Sequence, residues 1–167
     1  MIVSSGSAPL SWLGILRLGL VQASLGAIVV ITTSTLNRVM VVELALAASL
    51  PGLLVGLHYA VQLLRPRWGH GSDVGGRRTP WIVGGMAALG AGAVLAALAT
   101  ALAATNLVGG IALAALAFGI IGVGVGASGT SLLALLAERV APARQASAAA
   151  IVWIMMIAGF IVTAGGA

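Results

Sequence analysis

The sequence predicts an all-α polytopic membrane protein of about five transmembrane helices. Three observations carry that prediction: long apolar runs, very few charges, and short polar breaks that separate the runs. Of the 167 residues, 60% are hydrophobic and only 7% charged, with a mean hydropathy of +1.17. A water-soluble domain cannot cover its surface with so little charge. Apolar runs of about 18 residues or more are read as membrane helices, because a helix satisfies every backbone N–H and C=O within the segment.

Taken in order, residues 1–16 form a lead-in containing Ser and Pro, with Trp12 placed as an interfacial anchor. Residues 1–11 lack a basic segment, so a cleaved signal is not expected. Arg17 opens a first helix at 18–36, whose far end carries Thr32, Thr33, Ser34 and Thr35. Those hydroxyls can bond back to carbonyls of the preceding turn. Residues 37–43, with Arg38 and Glu43, read as a break, and 44–64 as a second helix that Pro51 either kinks or starts late. The longest polar interruption follows at 65–80, RPRWGHGSDVGGRRTP, and reads as a loop. A third helix at 81–104 has Pro80 near its first turn, and Thr105 and Asn106 make a tight turn into the fourth. That fourth run, 107–137, exceeds the ~20 residues needed to span, so it must tilt, bend or project. Its glycines at 119, 122, 124, 126 and 129 favour close backbone contact. After a break at 138–145, a fifth helix at 147–164 completes one membrane domain over 1–167. The chain stops on Gly165, Gly166 and Ala167, which leaves a naturally short protein and a piece of a longer one both open.

The net charge of +5 comes entirely from arginine on the basic side, and the arginines sit in or beside the breaks. That is the pattern of topology determinants rather than of nucleic-acid binding. Alternating sides after each helix places Arg17, Arg65, Arg67, Arg77, Arg78, Arg139 and Arg144 on one face and Arg38 alone on the other. The arginine-rich face is expected to be cytoplasmic, with the N-terminus inside and 65–80 as a cytoplasmic loop. With no Cys, there is neither a disulfide nor a thiolate metal site. No nucleophile–base pair, metal cluster or phosphate loop is apparent, so no catalytic residue is assigned and an enzyme is not expected.

Within 65–80, Gly69, Asp73, Gly76, Arg77 and Arg78 give the spacing G-x-x-x-D-x-x-G-R-R. Gly69 permits close helix contact, and Gly76 permits a turn with positive φ. Asp73 can meet an arginine or cap a helix N-terminus, while Arg77 and Arg78 can hold the segment at anionic lipid. A solvated basic loop that only sets topology would look similar. The spacing, between the second and third helices, resembles the loop motif of the major facilitator superfamily. The run TLNRVMVVEL at 35–44, containing Asn37, Arg38 and Glu43, resembles the outer loop of that superfamily's bacteriochlorophyll-delivery branch, the PucC/LhaA family. The segments 58–81 and 122–159 resemble LhaA-type members as well. The chain resembles the amino-terminal half of such proteins without its sixth helix, and the carboxy-terminal half, against which the family's loop motif is expected to latch, has no counterpart in it.

The resemblance implies an assembly factor for light-harvesting 1 antenna and reaction-centre complexes. It would bind or deliver bacteriochlorophyll in a bacterial inner membrane, cytoplasmic or intracytoplasmic and photosynthetic, among membrane lipids. The magnesium of that pigment accepts an axial ligand, commonly a neutral imidazole. His58, embedded in the second helix near Pro51, Gly52 and Gly56, is the candidate, against the plainer reading of a histidine bonded to a neighbouring helix. No metal ligand is assigned otherwise, and His70 is expected in solvent. Arg38 and Glu43 either pair across a short turn or touch pigment or antenna subunits. The Ala and Gly repetition of the third and fourth helices either packs closely or forms grooves for pigment tails. Two competing functions stand beside assembly: secondary transport of a small solute, and a structural subunit of a photosynthetic complex. Coupled transport is weakened by the lack of an acidic or arginine residue in the middle of any predicted helix.

Overall fold

Helix after helix follows from the apolar runs, and the departures lie where polar residues disguise helical backbone. The computed structural model describes residues 9–166; the sequence-predicted lead-in therefore falls partly outside the described residues. Helix α1 spans Trp12–Val30 and begins earlier than the expected position 18, because Ser11 caps it: Gly14 N–H donates to Ser11 Oγ at 3.3 Å.

The predicted break at 37–43 is helical instead. A π-helical turn (Ile31–Thr35), a short α2 (Leu36–Arg38) and a second π-helical turn (Val39–Glu43) continue α1, giving one unbroken helix from Trp12 to Glu43. Thr32 donates to Ile28 O at 2.9 Å and Thr33 to Val29 O at 2.7 Å. These hydroxyls compete with backbone N–H groups for the same carbonyls, which accounts for the wider π register at this point. No Pro or Gly interrupts 31–43, and Met40 is buried, so the helix has no reason to stop at Arg38. The chain turns only afterwards, through Ala45 at φ 51°.

The second predicted helix starts late. Helix α3 is Ser49–Val61, with Pro51 in its first turn, where a missing N–H costs nothing. A 3₁₀ turn (Gln62–Leu64) leads directly into α4 (Arg65–Val74), so most of the predicted loop at 65–80 is a helix. The polarity of 65–74 marks a helix outside the apolar core, not an absence of structure. The true connection is Gly75–Arg77, closed by Gly76 at φ 61°, a conformation that strains any residue with a Cβ.

Helix α5 (Arg78–Ala103) and helix α6 (Leu107–Arg139) lie close to the expected bounds, joined by a turn in which Asn106 Oδ1 accepts from Gly109 N–H at 2.9 Å. At ~1.5 Å per residue, the 33-residue α6 is about 50 Å long and outreaches a ~30 Å hydrocarbon layer. A 3₁₀ turn (Pro142–Arg144) opens α7 (Gln145–Gly166). Four segments are long and apolar enough to cross a membrane: Trp12–Glu43, Arg78–Ala103, Leu107–Arg139 and Pro142–Gly166. The 13-residue α3 is shorter than the ~20 residues that a crossing needs, and the chain is an all-α polytopic membrane protein.

Two pairings dominate, α5 with α6 and α1 with α7, and α3 and α4 lie along α6. The α5–α6 seam closes on glycine: a Cβ on Gly85 would stand 2.6 Å from Ser128 N, and one on Gly124 would stand 2.6 Å from Leu89 N. Leu89, Ala96, Ala99, Ala117 and Ile121 are fully buried between them. At one end of the bundle Leu10 N–H donates to Arg139 O at 2.8 Å, and the Arg144 guanidinium stands over the Trp12 ring at 5.4 Å. The start of α1, the end of α6 and the start of α7 therefore meet there.

Candidate functional site

Two groups of polar residues stand out against the apolar background. The first is at the arginine-rich end, where α4, α5 and α6 converge. Arg78, mostly buried, places Nη1 2.6 Å from Asp73 Oδ1 and Nε 2.8 Å from Glu138 Oε2. Its Nη1 also donates to Ser72 Oγ at 3.2 Å, and Ser72 in turn donates to Gly69 O at 2.8 Å. One guanidinium thus ties the last turn of α4 to the last turn of α6, with Gly76 supplying the sharp turn that returns the chain to Arg78. Both carboxylates are more than half exposed, so each pair is weak alone; the fork geometry of arginine makes the three contacts act on one rigid group.

Of the predicted motif, the structure brings Gly69, Asp73, Gly76 and Arg78 into one network, while Arg77 stays exposed with no ion pair among the described residues. Glu138 and Ser72 were missed by sequence reasoning. A signal for Glu138 existed: the chain has only three acidic residues, and this one falls on the same side as Asp73. The outer motif is not a site of the same kind. Asn37, Arg38 and Glu43 lie on continuous helix, and Arg38 and Glu43 form no ion pair with each other. His70 is exposed on α4.

The second group lies among the long apolar helices. A cavity of about 410 Å³ opens between α1, α3, α6 and α7, lined by Gln22, His58, Tyr59, Gln62, Trp153 and Phe160 among others. His58 is 1% exposed, and its carbonyl sits against Gly122, where a Cβ would come within 2.6 Å. Gly122 lies near the middle of α6, so His58 is held at the depth of that helix's centre.

Hydrogen bonding assigns the tautomer of His58. Arg65 Nη2 donates to Gln62 Oε1, and the Gln62 amide nitrogen stands 2.7 Å from His58 Nε2. With its oxygen taken, Gln62 donates, so His58 Nε2 accepts and the ring proton resides on Nδ1. That Nδ1 is buried without a partner, and so is Gln22 Oε1, whose amide nitrogen donates only to Met156 Sδ at 3.3 Å. Gln62, Arg65 and Thr130 also line the cavity, so the two unsatisfied atoms belong to a polar side that faces the apolar wall. None of Asn37, Arg38 and Glu43 lines this cavity. Among the described residues no group of three or more His, Cys, Asp or Glu side chains can hold a metal ion.

Comparison with known proteins places this architecture. The family model described as PUCC protein matches residues 35–167. The bacteriochlorophyll synthase 44.5 kDa chain of Rhodobacter capsulatus is 58% identical over 156 residues, covering 93% of this chain and 36% of that relative. Protein PucC of the same species is 35% identical over 97% of this chain and 37% of its own length. Protein PucC of Rhodovulum sulfidophilum is 34% identical over 96% and 38%, respectively. The chain therefore spans little more than a third of these relatives. No solved structure matches. With the family model covering the polar network, His58 and the whole of α3 to α7, the chain belongs to the PucC family.

Proposed function

We propose that this chain is a non-enzymatic assembly factor for light-harvesting 1 antenna and reaction-centre complexes, and that it holds bacteriochlorophyll in the cavity beside His58. The single observation that carries the reading is a buried histidine, level with the middle of α6, beside a side-open cavity in a chain of the PucC family. The printed name of one relative, a bacteriochlorophyll synthase chain, points to the same pigment.

The residues present suit the pigment. When bound, it would supply a magnesium centre able to take a nitrogen ligand from the protein. His58 offers that nitrogen on Nε2, and the unpartnered Gln22 Oε1 offers an acceptor for a polar substituent. Leu25, Val29, Val125, Met156 and Phe160 supply apolar walls. The volume of about 410 Å³ falls in the usual range for ligand pockets. Bacteriochlorophyll is larger, and the exposed Tyr59 and Trp153 on the rim mark the side where the remainder would lie against lipid. Gln62 covers the Nε2 lone pair, so its side chain must swing away, towards Arg65, before His58 can act as a ligand.

The distribution of arginines supports an N-terminus on the cytoplasmic side of a bacterial inner or intracytoplasmic membrane. Within the longer relatives, this chain corresponds to an amino-terminal membrane domain of the major-facilitator type, with antenna subunits and reaction centre as partners.

The test is a near-infrared spectrum of the protein purified in mild detergent from a pigment-producing host, with its co-purifying subunits identified. Bound bacteriochlorophyll together with antenna polypeptides is the expected result, and His58→Leu should lose most of the pigment while keeping its helical content. A colourless protein that is stabilised by a small solute would sink the proposal in favour of transport. A His58→Leu variant with its full pigment complement would remove the ligand role.

A further inference from the structure

A second cavity, separate from the His58 space, lies at the arginine-rich end between the start of α5 and the end of α6. Its volume is about 1010 Å³, and three guanidinium groups, those of Arg77, Arg78 and Arg139, line it with a single carboxylate, Glu138. The charges are not equivalent. Arg78 is committed to Asp73 and to Glu138, at 2.6 Å and 2.8 Å. The remaining acidic residue of the chain, Glu43, ends the helix that starts at Trp12 and lies far from this end. Arg77 and Arg139 are therefore left without a carboxylate; both are exposed, and neither forms an ion pair among the described residues.

What lies beneath them identifies the class of ligand. Val83 and Leu135 line the same cavity about one helical turn inward from Arg78 and Arg139. Val83 is 62% exposed on an apolar helix. A basic pair at the rim above an open apolar wall suits an amphiphile with an anionic head. A small soluble anion would leave that wall uncovered. Arginine also favours phosphate, because its planar fork can give two parallel hydrogen bonds to one phosphoryl group.

We propose that this cavity binds the headgroup of an anionic phospholipid, with Arg77 and Arg139 on the phosphate and an acyl chain along Val83 and Leu135. The site sits beside the Arg78 network without competing for it, since Glu138 remains on Arg78.

Native mass spectrometry of the whole chain in a neutral detergent tests this, with phosphatidylglycerol as probe and phosphatidylcholine and inorganic phosphate as comparisons. Phosphatidylglycerol should be retained in preference to both. The double variant Arg77→Gln/Arg139→Gln should weaken it about thirtyfold, whereas Arg17→Gln/Arg67→Gln, exposed on α1 and α4 and outside the cavity, should change it by less than about threefold. A second variant, Arg77→Lys/Arg139→Lys, keeps the charge and loses the fork, and should bind at an intermediate strength; it serves also where the glutamine pair fails to fold. Equal losses from the two glutamine pairs would mean diffuse surface attraction and overturn the proposal. Displacement of the lipid by inorganic phosphate at matched concentration would overturn it too, in favour of a soluble phosphoryl ligand.

Discussion

Replacing Gly124 with alanine probes the seam between α5 and α6, the helices that carry Arg78 and Glu138. A Cβ at Gly124 would meet Leu89 N at 2.6 Å and Gly85 O at 2.7 Å, both backbone atoms of α5. Ordinary contact begins near 3.4 Å, and main-chain atoms cannot rotate aside, so one helix must retreat. Retreat opens the seam around Leu89, Ala117 and Ile121, none of which has any exposed surface. Overpacking of this kind costs ~1–3 kcal/mol, whereas the gain in helix propensity from Gly to Ala returns at most ~1 kcal/mol. The balance is a loss of about 1–2 kcal/mol. Gly119→Ala is the control on the same helix: nothing lies within 4 Å of its Cβ position, so only the propensity term acts and the change is neutral or stabilising. Reversible unfolding in mixed micelles, followed by circular dichroism, reads both. Equal midpoint shifts for the two alanines would refute the packing argument. Because Gly85 and Gly124 face each other across the seam, Gly85→Ala combined with Gly124→Ala should cost less than the two single losses added, by about 0.5 kcal/mol or more.

Two further expectations concern the polar network. Arg78→Gln removes two ion pairs whose carboxylates are 56% and 59% exposed, together with a hydroxyl contact; at the modest value of exposed pairs, the loss is about 1–2 kcal/mol in the same unfolding assay. It should shrink as salt is added, and an unchanged midpoint would mean that α4 docks without the network. Gly76→Ala places a Cβ on backbone at φ 61° in open space, so it costs about 1 kcal/mol through strain alone, whereas Gly75→Ala, in the right-handed helical region with one 3.3 Å approach to Gly71 O, should cost less.

The helices from α5 onward were legible because the sequence marks them with local chemistry. Pro80 can occupy a first turn and little else in a long helix, Asn106 caps α6 through its own side chain, and Pro142 opens the last segment. The two misread stretches share one cause. Polarity suggests a loop, yet it says only that a stretch avoids hydrocarbon. Residues 65–74 are polar and helical, and 37–43 carry Arg38 and Glu43 on a helix whose buried face, at Met40, is apolar. The threonines before that point satisfy their hydroxyls on carbonyls of their own helix, so they neither end it nor build a site.

The candidate site residues divide in the same way. The spacing from Gly69 to Arg78 could be read because all its members lie within one short segment, where a turn and an ion pair follow from the residue types. Glu138 enters from 60 residues away, and no local pattern announces it. His58 stood out as an ionisable residue in an apolar run, but the cavity beside it needs four helices and the missing Cβ of Gly122 to exist at all. Here α6 is decisive. Its glycines let α5 and α3 approach from different sides, its centre fixes the depth of His58, and its last turn carries the carboxylate that Arg78 holds. A glycine-rich helix read in isolation indicates only that something packs closely against it. Which partner, on which face and at which height, is decided by the other helices, and for that reason both sites are properties of the assembled bundle rather than of any one run of residues.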